Sequence, residues 1–176
     1  MAKEGENFSN ESWSFALRLY AESGVAEACL RLQSIAGVDV MMLLAVLFAA
    51  SQKNISLSFE DVKALDGVCR PWREQVVHPL RALRTALKSG PAPAPTSETD
   101  QLRSRIKADE LQAEQIENDL LGNWLQHKTR APAALSRHQV RGILADVVRC
   151  FGADSSTIEV SAEVDVILGA TARLSA

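Results

Sequence analysis

Histidine and cysteine are scarce in this chain of 176 residues, three of each, and their placement excludes most metal and nucleophile chemistry. His78, His127 and His138 stand far apart, and no His-Glu-x-x-His run occurs. Cys29, Cys69 and Cys150 form an odd set at wide spacing with no Cys-x-x-Cys pair, which fits neither a disulfide framework nor a zinc site. Each is expected in a helix, as a small buried thiol of a reducing, cytoplasmic setting. Gly-x-Ser-x-Gly, Gly-x-Gly-x-x-Gly, phosphate-loop and Asp-Asp-x-x-Asp signatures are all missing, and no cofactor is implied. Long apolar runs are missing too. The most apolar stretch, Val38 to Ala50, spans thirteen residues and includes Asp39. A bilayer span needs about twenty apolar residues, so this stretch is expected to be a buried helix and no membrane span is expected. Met1 to Asn10 is polar and acidic, without the basic start and apolar centre of a signal peptide. A net charge of −3 argues against a general nucleic-acid binder.

What is present is helical patterning at ordinary globular composition, 47% apolar and 23% charged. Ser9 or Asn10 is placed to cap a first helix through Ala21, with Trp13, Leu17 and Tyr20 recurring on an apolar face that Phe15 and Leu19 widen. A second helix is expected from Val25 to Ile35, stopped by Gly37. Asp39 then caps the apolar helix, which is apolar nearly all round and so central. Ser58, with Asp61 three residues on, marks the next start. Arg70-Pro71-Trp72 reads as a break, with Pro71 in the first turn of a new helix to Lys88 that Pro79 kinks. Residues 89–97 alternate proline and alanine and are expected to run extended.

Glu98 to Gln126 reads as one long charged helix, with Leu102, Ile106, Ala113, Ile116 and Leu120 in near-heptad register. Ser136 caps a helix through Phe151, with Val140, Ile143, Leu144, Val147 and Val148 as its buried stripe. Thr157 to Leu174 alternates like a strand, but no second strand is available to pair with it, so helix is expected. The fold class is therefore all-α, a compact bundle of about six or seven helices with one long charged helix after the Pro-rich linker. Its organisation is a helical core region at 8–88, a linker at 89–97 and further helices at 98–174 that pack back on the core, one domain in all.

The strongest polar pattern is a basic stripe. Arg70, Arg73, Arg81, Arg84 and Lys88 fall within roughly 80° on a helical wheel, beside Val76, Leu80, Leu83 and Leu87. With Glu74 the segment carries a net +4, whereas residues 98–126 carry a net −4. Three readings stay open. The stripe is a solvated face whose stems cover apolar surface, or it docks on the acidic helix of the same chain, or it binds an external anion such as RNA, a phosphorylated ligand or acidic lipid. Gln33, Asp39 and Arg73 are polar groups near apolar stretches and mark a candidate pocket. Asp39 serves there as a plain cap, as partner of a buried arginine or as a catalytic acid. His78, before Pro79, reads as a donor to a carbonyl freed by the proline. Glu60-Asp61 and Asp109-Glu110 read as solvated pairs.

One string is more specific than the rest: Trp13-x-Phe15-Ala16-Leu17, Gly24-Val25-Ala26-x-Ala28-Cys29-Leu30-x-Leu32-Gln33, Gly37-x-Asp39-Val40 and Trp72-Arg73-x-x-Val76-Val77-x-Pro79-Leu80-Arg81-x-Leu83-Arg84-x-x-Leu87-Lys88. It resembles a bacterial family of conserved hypothetical proteins, a domain of unknown function. The family's pattern has asparagine after Asp-Val, where Met41 stands here. The resemblance implies a cytoplasmic helical protein and brings no reaction, cofactor or partner. The leading functional expectation is a non-enzymatic module with a protein partner or a homo-oligomeric state. An anion-binding module on the stripe is second, with nucleic acid the less favoured ligand, and an enzyme of unknown reaction is third.

Overall fold

Capping side chains decide where several helices begin. The computed structural model describes residues 2–152 and 158–174. Asp39 accepts from the Met42 N–H and opens α3 (Val40–Lys53), which follows α1 (Ala2–Tyr20) and α2 (Val25–Ala36). Gly37 takes the left-handed conformation, φ 63°, that ends α2. Ser58 and Asp61 form a reciprocal capping box ahead of α4 (Phe59–Trp72). Thr96 with Thr99 and Ser136 with Gln139 do the same for α6 (Ser97–Leu125) and α7 (Arg137–Cys150). Between α4 and α6 lie a π-helical turn (Arg73–Val77) and α5 (His78–Ala86), and α8 (Ile158–Leu174) comes last. Counting the uninterrupted run from Phe59 to Ala86 as one rod, the described residues form seven helical rods, an all-α fold as expected.

The centre is α3, buried from Met42 to Ala50. Around it pack α1, α6 and α7, and α2 with α8 closes one side. Phe8 and Phe15 of α1 meet Phe48 of α3, the former edge-on with ring centroids 5.2 Å apart. The stripe Val140, Ile143, Leu144, Val147 and Val148 is buried as expected. Residues 158–174 are helical rather than extended, and Val160, Val164, Ile167 and Leu168 are buried at helical spacing. Thr157 lies outside the described residues.

Several sequence expectations are corrected. Neither Ser9 nor Asn10 caps α1. Ser9 sits inside the helix, and its carbonyl accepts a 2.9 Å hydrogen bond from Asn118 Nδ2 of α6. Gly122 allows that approach, because a Cβ there would stand 2.4 Å from Ser9 Oγ. The buried side of α1 is Phe8, Ser12, Phe15, Ala16 and Leu19, so Leu17 and Tyr20 lie at its outer edge and Trp13 is only half-buried. Pro71 starts no new helix but lies in the last turn of α4. Proline has no N–H, so Pro71 leaves the Gly67 carbonyl four residues back without its helical donor. The break falls at the π turn instead, where the His78 N–H reaches the Arg73 carbonyl five residues back. Pro79 then enters in the first turn of α5, where proline is tolerated. The Pro-Ala segment is a turn, with the Ala94 N–H on the Pro91 carbonyl at 2.9 Å, because α6 must fold straight back along α5.

The heptad reading of α6 is corrected as well. Ile106 and Ala113 are buried, but Leu102 and Ile116 are exposed. The inward stripe continues instead through Glu110, Glu117, Leu121 and Leu125. Two carboxylates occupy inward positions because arginines of the facing rod meet them there. Glu110 is therefore not a solvated position.

Candidate functional site

The π turn places Arg73 inside the protein, 5% exposed, at a junction of four elements. Its Nη1 donates to Asp39 Oδ2 of α3 at 2.9 Å, and its Nη2 donates to Asp66 Oδ1 of α4. Glu117 Oε1 of α6 stands 3.9 Å from Nη1, and the Phe151 ring lies 5.1 Å from the guanidinium carbon. Asp66 also accepts from Arg70, whose Nε is 3.0 Å away and whose side chain is 54% exposed at the rim. Asp39 thus caps α3, with the Met42 N–H at 3.0 Å, and pairs with a buried arginine as well. Gln33 is not brought to this junction by a hydrogen bond. It supplies its main-chain carbonyl to the Gly37 cap at 3.1 Å.

The node is electrostatically tight. Burial alone would lower the Arg73 pKa, yet Asp39 and Asp66 raise it above its ordinary value. Burial pushes the Glu117 carboxyl up to about 9, and the charge of Asp39 adds to the effect. The Cys69 thiol is pushed up to about 12, again by burial first and by Glu117 and Asp39 next. A thiol held so far from ionisation is no nucleophile. The ion pairs of Arg73 with Asp39 and Asp66 are buried, with Phe151 against the guanidinium, and they tie the π turn to α3 and α4.

A second row of ion pairs runs outward from the node. Arg81 Nε donates to Glu110 Oε1 at 2.9 Å, and Arg81 Nη2 to Glu114 Oε1 at 2.7 Å. Arg84 donates to both oxygens of Glu110. Burial opposes ionisation of Glu110, but the two guanidiniums more than offset it and its pKa falls. Burial raises the Glu114 pKa despite Arg81. Trp72 Nε1 donates to the Ala113 carbonyl at 2.9 Å and fixes the register of α6 on the rod. Arg73, Arg81 and Arg84 thus face successive turns of α6, whereas Arg70 serves its own helix and Lys88 is exposed. The leucines beside the stripe do not form one buried arc. Leu87 is buried, but Leu83 is 50% exposed, since α5 packs on α6 along one side only. His78 is exposed, and burial of part of its ring with Arg81 and Arg73 nearby lowers its pKa.

The apolar surface left outside lies elsewhere. On α1, Trp13 is half-buried, Leu17 is 53% exposed and Tyr20 38% exposed, one stripe at steps of four and three residues. Partial burial raises the Tyr20 pKa, Cys29 and Glu114 add to the rise and Arg81 opposes it, so the end of this stripe lies near the Arg81–Glu114 ion pair. Leu111, 49% exposed, is one helical turn from Glu114 on α6, along which α1 packs.

Sequence reasoning assigned Arg73 and Asp39 to the interior region but missed Asp66, Glu110 and Glu117. The available signal was the spacing of Glu110, Glu114 and Glu117, which puts three acids on one side of α6 opposite the arginines. A family model described as "Protein of unknown function (DUF2390)" matches residues 11–121, from α1 through most of α6. No curated protein and no solved structure matches the chain.

Proposed function

This chain belongs to the family of proteins of unknown function designated DUF2390, and we propose that it is a non-enzymatic module that associates with another protein, a second copy included, through the outer stripe of α1 and the adjoining part of α6. The observation that carries the reading is the exposure of Leu17 and Tyr20 on the same stripe of α1 as the half-buried Trp13, with Leu111 exposed on α6, along which α1 packs. Aromatic and leucine side chains at helical spacing are what a partner helix uses as anchors. Scattered apolar residues are ordinary on a surface, whereas Trp13, Leu17 and Tyr20 follow one another along a single helical stripe.

The charged groups support the same reading by elimination. Arg70, Arg73, Arg81 and Arg84 donate to carboxylates of their own chain, which draws them away from an external phosphate. Asp39 and Arg73 are closed in by their partners, and a substrate would have to displace an ion pair to reach them.

The test compares wild type with Leu17→Glu. The substitution sits at an exposed position, so unfolding stability is expected to change by no more than about 0.5 kcal/mol. Wild type is expected to sediment as a concentration-dependent assembly or to hold a stoichiometric partner, and Leu17→Glu to do neither. Indistinguishable behaviour of the two proteins would overturn the reading.

A further inference from the structure

The node around Arg73 holds more acid than base. Inside it are three carboxylates, Asp39, Asp66 and Glu117, all with side chains at most 5% exposed, and one buried guanidinium. Arg70 adds a second cation from the rim, which balances the two aspartates. Glu117 is the member left over. The Arg73 Nη1 nearest to it already donates to Asp39 at 2.9 Å, against 3.9 Å to Glu117. Glu117 Oε1 is buried without a hydrogen-bond partner. An ionised carboxylate in that position would be an uncompensated buried charge, whereas a protonated one is neutral and can donate to a neighbouring aspartate.

We infer that Glu117 is a proton-binding site of the folded protein, carried as the neutral acid and donating to Asp39, so that the bound proton is a structural member of the node joining α3, α4 and α6. The groups facing it support this from each side. Asp39 comes from α3 and Asp66 from α4; Cys69 of α4 is a thiol held neutral. Arg73 comes from the π turn, and Glu114 lies one turn back on α6. The cations among them are already committed to the aspartates. Burial and the Asp39 charge push the Glu117 carboxyl up to about 9, in agreement with the geometry.

The sign of the pH effect follows. Unfolded, Glu117 ionises near its ordinary 4.5; folded, it keeps its proton to about 9. Between those values the folded chain binds one proton more than the unfolded chain. Stability therefore falls with rising pH across that window and levels off above it.

Glu117→Gln mimics the neutral acid in size and hydrogen bonding and is expected to fold. Urea unfolding of both proteins is measured from about pH 5 to pH 9. The unfolding constant of wild type, relative to Glu117→Gln, is expected to rise by up to about tenfold per pH unit. Difference infrared spectra at neutral pH read the same site without unfolding, and wild type should show a protonated-carboxyl band that Glu117→Gln lacks. Parallel pH profiles, or no such band, would overturn the inference.

Discussion

Replacing Arg73 with methionine keeps most of the length of the side chain and removes its charge. Asp39 and Asp66, with side chains 5% and 3% exposed, would then lose their buried partner. Asp66 would retain Arg70 at the rim, and Asp39 would retain the Met42 N–H and the proton donated by Glu117 but no cation. Breaking a buried pair by removing one member costs about 3–5 kcal/mol, because the remaining charge stays desolvated. That is a large part of the roughly 5–15 kcal/mol by which a folded chain exceeds its unfolded state. For a chain of this size it lowers the melting temperature by about 6–20 °C. Urea unfolding followed by circular dichroism measures it. Asparagine at positions 39 and 66 supplies the control. It removes the stranded charges, and at position 39 it still caps α3. The triple variant Arg73→Met, Asp39→Asn, Asp66→Asn should recover roughly 2 kcal/mol over Arg73→Met alone. A single-variant loss under about 1 kcal/mol, or no recovery in the triple variant, would refute the claim that these charges depend on one another.

Two further outcomes follow from the packing of α6. Glu110→Gln should cost about 1.5–3 kcal/mol, since the Arg81 and Arg84 guanidiniums lose a charged acceptor. Because the folded pKa of Glu110 is lowered, its contribution is present above the unfolded value of 4.5 and lost as pH falls through the folded one. Amide protection over α5, measured relative to the intrinsic exchange rate at each pH, should accordingly fall in acid for wild type and already be low in the variant. Gly122→Ala should destabilise by about 1–3 kcal/mol despite alanine's better helix propensity, because its Cβ meets the Ser9 backbone as well as its hydroxyl. A calorimetric scan showing a stabilised Gly122→Ala would contradict the close α1–α6 approach.

How much of this was legible in the sequence depends on whether the cause was local. The caps at Asp39, Ser58 and Ser136 act over three residues, and the structure has helices starting after each. The apolar run of α3 needs no partner to be recognised as core. The register of α6 was misjudged because the pattern counted apolar residues only, while the inward positions at 110 and 117 are glutamates whose burial depends on arginines tens of residues away. The cap expected at Ser9 fails for the same reason. The role of Ser9 is set by Gly122, which is distant in sequence and touches it only once α1 and α6 have docked. The outer position of the stripe on α1 was equally hidden. Trp13, Leu17 and Tyr20 have helical spacing, and so do Phe8, Ser12, Phe15 and Leu19. Only the neighbouring helices decide which set is buried.

The proposed association requires the α1–α6 edge to be a surface that another protein covers. A photoactivatable cross-linking residue at position 17, compared in living cells with the same residue at the exposed position 105, tests this directly. The predicted result is a discrete covalent adduct from position 17, to a second copy or to one other protein, and none from position 105. No adduct from position 17, or the same smear from both, would contradict it.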